Sequence, residues 1–298
     1  MSGKAYAQLV RLPNLFTAAA DALAGYLVAG GSAREVGRWG PLAGASMAIY
    51  AAGVALNDVN DRDLDRIERP ARPIPSGRVS VRAAVGLSVG LLASALGLAG
   101  WVGGVGPTLL VASALIACVL GYDLGLRRTP LGPVAMGACR GLDVLLGASL
   151  AAGLGGPPTW AFAASMGLYV VGLTWVSRSE THWGRAAGVA GGMAAQLAAV
   201  AALIAVCWLG PRPAGSVVGP VLGTLALGAV GLVVATADLR ALREPTPMAT
   251  MRAVKRGVLA LVWLLAGVVA ARRGPAEGAL VAALWIPAAW LGKWVYVT

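Results

Sequence analysis

The sequence predicts an all-α fold: one polytopic transmembrane bundle of nine or ten helices, forming a single domain over residues 1–298. Three observations lead there. Hydrophobic residues make up 58% of the chain and charged residues 12%, with a mean hydropathy of +0.74; soluble domains carry about 25% charge. The apolar residues gather in ten segments, each near the roughly 20 residues that a helix needs to cross a bilayer. Finally, 42 glycines against two phenylalanines describe thin helices that can approach closely, as in membrane bundles.

The segments fall at about 13–31, 41–57, 82–103, 107–123, 131–153, 159–177, 186–209, 215–236, 252–271 and 277–296. Only short stretches separate them, so no second domain, linker or low-complexity tail is expected. No cleavable leader is expected either; the first span would direct insertion. With the N-terminus in the cytoplasm, 18 lysines and arginines fall on that side of the membrane and five on the other. That asymmetry fixes the expected orientation. It also accounts for the net charge of +11 without a nucleic-acid partner, because the basic residues sit in the short connections. Cys118, Cys139 and Cys207 lie inside apolar segments and have neither metal-ligand spacing nor a disulfide framework.

The first segment opens Arg11-Leu12-Pro13-Asn14. Asn14 reads either as a helix cap or as a polar group facing the bundle interior. The second segment runs into the most informative stretch, because four of the eight aspartates lie within 57–65. Asp58, Asp61 and Asp65 stand at i, i+3 and i+7, within roughly 60° of arc on one helix face. Asn57 lies beside that face and Asp63 points away. Like charges stacked this way repel, and a hard divalent cation such as Mg²⁺ removes the cost by taking carboxylate and phosphate oxygens together. Arg69, Arg72 and Arg78 follow in a turn stiffened by Pro70, Pro73 and Pro75. Arginine forks suit phosphate oxygens. Metal-holding acids followed by arginines in a stiff loop read as a diphosphate site at the membrane surface. The plainer alternative is a solvated loop whose arginines set topology.

The fourth segment ends Tyr122-Asp123-Leu124-Gly125-Leu126-Arg127-Arg128, with an interfacial tyrosine and two basic residues. The fifth carries Arg140 and Asp143 at membrane depth, where a charge marks a functional site by default; at i, i+3 they could also pair with each other. The sixth ends Ser177-Arg178-Ser179-Glu180-Thr181-His182. His182 is the one histidine and reads as a surface residue. Gly188-Gly192 and Gly219-Gly223 have the spacing of close helix packing. Asp238, Arg240, Arg243 and Glu244 read as part of a cytoplasmic loop.

Asn57, Asp58, Asp61 and Asp65, followed by Arg69-Pro70-Ala71-Arg72-Pro73-Ile74-Pro75-Ser76-Gly77, resemble the first aspartate-rich motif (NDxxDxxxD) of the UbiA-type intramembrane prenyltransferase superfamily. The resemblance extends in layout over about residues 10–272 and is sharp over 57–78. It implies a UbiA-like bundle that binds an isoprenyl diphosphate through Mg²⁺. The metal ligands would be Asn57, Asp58, Asp61, Asp65 and Glu180. Asp58, Asp61, Tyr122 and Arg127 would take catalytic roles, with Arg127 where the family has a lysine. Asn14, Arg69, Arg72, Arg78, Arg140, Asp143 and Arg178 would bind substrate. Opening of the carbon–oxygen bond would give an allylic cation and free diphosphate, and a small hydrophobic acceptor, aromatic or lipid, would capture the cation. No side chain offers itself as the base for that capture.

The second family motif, two aspartates four apart, is altered here: Glu180 is its one acid and Arg178 brings a positive charge. The Ser-Arg-x-Glu variant resembles the EboC-like subgroup, found in bacterial gene clusters for specialised metabolites. That implies a bacterial cytoplasmic membrane. It also leaves open a non-catalytic lipid-diphosphate binder or a metabolite-export partner. A secondary transporter would show inverted repeats, and the sequence has no clear one. The segment 277–296 lies beyond the family's usual nine helices and reads as an extra span or an interfacial helix.

Overall fold

The structure is a computed structural model that describes residues 3–178, 186–209, 217–244 and 246–295. The described residues are helical with short connections and form one antiparallel bundle. Its helices are α1 (Gly3–Leu9), α2 (Leu12–Val28), α3 (Val36–Asn60), α4 (Arg62–Glu68), α5 (Val81–Gly103), α6 (Pro107–Leu124), α7 (Gly132–Ala148), α8 (Pro157–Ser177), α9 (Ala186–Trp208), α10 (Val218–Arg243), α11 (Pro247–Arg273), α12 (Pro275–Ala283) and α13 (Trp285–Val295). Each of the ten expected segments is helical. Eight stretches are long and apolar enough to cross a membrane, counting Pro275–Val295 as one.

The other two, α2 and α7, have 17 residues each. At 1.5 Å per residue they are about 25 Å long, short of the roughly 30 Å hydrocarbon core. Both are enclosed by other helices: α2 packs against α3, α7, α11 and α13. They approach backbone to backbone. A Cβ on Gly25 would stand 1.9 Å from the Val144 carbonyl oxygen, and one on Gly147 would stand 1.8 Å from that of Ala22. This crossing brings the polar residues of α2 and α7 together at the centre of the bundle.

The spacing patterns in the last third also mark contacts. Cβ atoms on Gly192, Gly219 and Gly223 would meet Gly172, Ala271 and Ala271 respectively at under 3 Å. The tenth segment is broken. Pro287 has no N–H for the carbonyl of Ala283, four residues back, and the chain turns at Leu284 between α12 and α13. Trp285 then packs on Trp263 of α11, with ring centroids 6.0 Å apart. The expected loop at Asp238 is corrected: Asp238, Arg240 and Arg243 belong to α10, and buried Asp238 accepts a hydrogen bond from Gln196 of α9 at 2.9 Å. A helix interior satisfies its backbone within itself, so α10 can run on past its apolar run while Gln196 satisfies the carboxyl.

Candidate diphosphate site

The acidic stretch forms a helix with one interruption. α3 ends at Asn60, Asp61 is the joint, and α4 begins at Arg62. The backbone ladder passes through the joint, from Asp61 to the Asn57 carbonyl at 2.9 Å and from Asp65 to the Asp61 carbonyl at 2.8 Å. The three aspartates therefore keep their common face. Asp58 and Asp65 are buried and Asp61 is partly buried.

Each is held by arginine. After α4 the proline-rich turn folds back, anchored by buried Ile74 and Val79, and brings Arg72 over the face. Arg72 Nη1 donates to Asp65 Oδ2 at 2.7 Å and to Asp58 Oδ1 at 3.2 Å. Arg11 Nη2 reaches Asp58 Oδ1 at 3.4 Å. Arg11 caps α2 in a left-handed conformation, φ 49°, uncommon for a side chain of this size. Arg127, on the turn after α6, meets both oxygens of Asp61 with both of its terminal nitrogens. Burial alone would raise the Asp61 carboxyl, but the Arg127 hydrogen bonds and charge outweigh it and hold its pKa below the ordinary carboxylate value.

The remaining residues fall into three groups. Asn57 Nδ2 donates to Asp123 Oδ1 at 3.1 Å, and Asn60 Nδ2 to the Asp123 carbonyl at 3.2 Å, tying α3 to α6. Tyr122 is half-buried on the same end of α6. Arg178, at the end of α8, donates to the carbonyls of Arg127 (2.6 Å) and Thr129 (2.8 Å). It braces the turn that carries Arg127 and meets no carboxylate among the described residues. Arg69 is exposed, with no ion pair among the described residues. Arg78 is tied outside the cluster to Gln8 at 2.8 Å and Ser76 at 3.0 Å. Glu180 and His182 lie outside the described residues.

Among the described residues, no three His, Cys, Asp or Glu side chains form a ready metal-holding group, because guanidinium groups stand between the carboxylates. The donor set still suits Mg²⁺: three carboxyl groups on one face, plus the amide oxygen of Asn57, are the hard oxygen ligands it takes.

Below this cluster a cavity of about 350 Å³ runs into the bundle. Arg11 and Asn14 line it near the aspartates, Tyr50 and Thr17 further in, and Arg140 and Asp143 at its inner end. Asn14 is a wall residue, and the cap of α2 is Arg11. Arg140 and Asp143 do not pair with each other: Arg140 Nη1 lies 2.7 Å from Asp21 Oδ2, and Asp143 Oδ2 accepts from Ser46 Oγ at 2.9 Å. A second cavity of about 690 Å³ lies between α2, α11 and α13 and shares Asn14, Thr17 and Val258 with the first.

Sequence reasoning missed Arg11, Asp21, Ser46 and Asp123 as site residues. Asp21 carried a signal, as a lone acid in an apolar span. Asp123 stood beside Tyr122 at the end of another. Nothing local marks Arg11 or Ser46, whose partners are 47 and 97 residues away.

Fold and site together define a multi-pass helical membrane protein with an acid–arginine cluster at the mouth of an internal cavity. The chain belongs to the UbiA prenyltransferase family, whose sequence model matches residues 18–256. Over 154 residues it is 36% identical to a digeranylgeranylglyceryl phosphate synthase from Methanoculleus marisnigri, covering 51% of this chain and 53% of the relative. The chain thus spans about half the length of the curated relatives it matches. Among solved structures, a UbiA homolog from Aeropyrum pernix K1 superposes with a TM-score of 0.62 at 21% identity, covering 86% of this chain and 96% of that one. A UbiA homolog from Archaeoglobus fulgidus, solved with GPP and Mg²⁺, gives 0.59 at 14% identity, covering 86% and 99%. At these identities the likeness establishes the fold.

Proposed function

We propose that this protein transfers a prenyl group from an isoprenyl diphosphate to a hydrophobic acceptor within the membrane. The observation that carries the reading is the Asp58–Asp61–Asp65 face with Arg11, Arg72 and Arg127 set against it, at the mouth of a cavity into the bundle. The binding of GPP and Mg²⁺ by the Archaeoglobus protein supports it. The whole chain acts as one transmembrane domain, with the motif on the cytoplasmic side as the charge asymmetry indicates.

Asp58, Asp61 and Asp65, with Asn57 and Glu180, would hold Mg²⁺. Arg72, Arg127 and Arg11 exchange their carboxylates for phosphate oxygens when substrate arrives, and Arg69 and Arg78 would add phosphate contacts, as the family resemblance implies. Arg178 keeps Arg127 in place, and Tyr122 flanks the leaving group. Mg²⁺, when bound, neutralises charge on the departing diphosphate. Fixed guanidinium groups at the partly buried cavity mouth do the same from the protein side. The carbon–oxygen bond breaks with its electron pair on the diphosphate; the acceptor's nucleophilic atom bonds to the cation left behind and gives up its proton, for which the released diphosphate is the base at hand. The names of the matched relatives favour a lipid acceptor over an aromatic one.

The second reading is a non-catalytic lipid-diphosphate binder or export partner in a bacterial cytoplasmic membrane, as the EboC-like resemblance suggests. It is favoured by the altered second motif, in which Glu180 is the one acid and Arg178 adds a positive charge nearby. A diphosphate-release assay on purified protein, with Mg²⁺, a panel of prenyl diphosphates and lipid extract as acceptor, separates the two. Mg²⁺-dependent release supports the transferase; saturable binding without release supports the binder.

A further inference from the structure

The inner end of the central cavity is built from polar groups that the protein leaves unsatisfied. Asp21, Arg140 and Asp143 are each more than nine-tenths buried. Arg140 Nε and Nη2, Asp143 Oδ1 and both Asp21 oxygens have no hydrogen-bond partner among the described residues; Asp21 is ion-paired with Arg140 at 2.7 Å, and Arg140 and Asp143 line the cavity. Buried polar atoms without partners are costly, and most so at membrane depth. Two donors and one acceptor of these lining residues therefore stand unpaired, buried in this wall of the cavity.

Their chemistry selects what fits. An anion would meet two carboxyl groups against one guanidinium. A cation would satisfy Asp143 and leave the Arg140 donors unmet. A neutral group that both donates and accepts, a hydroxyl or an amide, satisfies both. Position selects further. Asp143 is bonded to Ser46, twelve residues before Asp58 on α3, or about 18 Å along the helix. A group held there is remote from the reacting end of a diphosphate held at the aspartates.

We propose that the Arg140–Asp143 end of the cavity is a binding subsite for a neutral hydroxyl or amide at the far end of a bound substrate. It rests on the prenyl-transfer reading for the identity of that substrate, and it would distinguish this chain's ligand from one ending in plain hydrocarbon. The group could belong to the second substrate or to a functionalised prenyl chain, and matched probes tell these apart.

Protein in lipid nanodiscs is titrated with 1-O-octylglycerol against its dimethyl ether. With Mg²⁺ present, it is also titrated with geranyl diphosphate against the 8-hydroxy derivative. In one pair the hydroxylated probe should bind about tenfold tighter. Asp143→Asn should keep the difference, and Asp143→Val should abolish it. Ser46→Ala with Asp143→Val, which strands no hydroxyl, repeats the test where the single variant folds poorly. A difference in the glycerol pair assigns the subsite to the second substrate; one in the geranyl pair assigns it to the donor's tail. Equal binding within both pairs, or a difference that survives both valine variants, overturns the proposal. Should geranyl diphosphate fail to bind even wild-type protein, the prenyl-diphosphate reading falls, and the glycerol pair still decides the subsite.

Discussion

Arg72 donates to Asp65 at 2.7 Å, and the carboxyl it meets is almost fully buried. The same nitrogen also holds Asp58, so one guanidinium from the proline-rich turn closes two carboxylates of the motif. Arg72→Leu therefore strands a buried charge and should destabilise the protein by about 3 kcal/mol. Arg72→Leu with Asp65→Leu should recover much of that loss. Thermal or denaturant unfolding in matched detergent checks both; equal losses for the single and double variants would show that Asp65 does not depend on Arg72.

Asp61 and Arg127 give the clearest pH prediction. The folded Asp61 pKa lies below the ordinary value of 3.8, so the pair's stabilisation is fully present above that value. It is lost as pH falls through the lower, folded value. Between pH 7 and 5 the coupling between the two residues should stay constant, and it should decline only below about pH 4. A double-mutant cycle with Asp61→Asn and Arg127→Gln at several pH values measures it. Arg127→Lys keeps the charge and loses the paired geometry, so diphosphate binding should weaken by about tenfold.

Arg178 acts through its neighbour. It donates to the carbonyls of Arg127 and Thr129, so Arg178→Ala should loosen the turn and weaken geranyl diphosphate binding. Added to Arg127→Ala it should have little further effect. Additive losses would mean that Arg178 touches the ligand independently.

The α2–α7 crossing sets the inner end of the cavity. Gly147→Ala places a methyl 1.8 Å from the Ala22 carbonyl oxygen, so the helices must separate. It should cost about 1–3 kcal/mol as overpacking and draw Asp21 away from Arg140. Gly3→Ala, with nothing within 4 Å, is the matched control and should leave the unfolding midpoint in place.

Sequence alone carried much of this. The ten apolar runs became helices because hydrophobic length is a strong signal, and the i, i+3, i+7 aspartates kept one face because the ladder passes through Asp61. The break at Leu284 was encoded in Pro287 and overlooked. Residues that act across the fold were harder. Asp21 opposite Arg140 depends on where α2 crosses α7, which the sequence does not state. Arg11 over Asp58 depends on a strained cap. Asp238 was misplaced because its partner, Gln196, satisfies a carboxyl that local composition assigns to a loop. Arg72 and Arg78 look equivalent in sequence, and only the fold of the turn sends one inward and the other toward Gln8.

The most direct measurement is equilibrium binding of geranyl diphosphate to purified protein, with and without Mg²⁺, for wild type and Asp61→Asn. Saturable binding that requires Mg²⁺ and falls at least tenfold in Asp61→Asn is the expected result. Binding that ignores Mg²⁺, or that Asp61→Asn leaves intact, would contradict the aspartate face as a metal–diphosphate site.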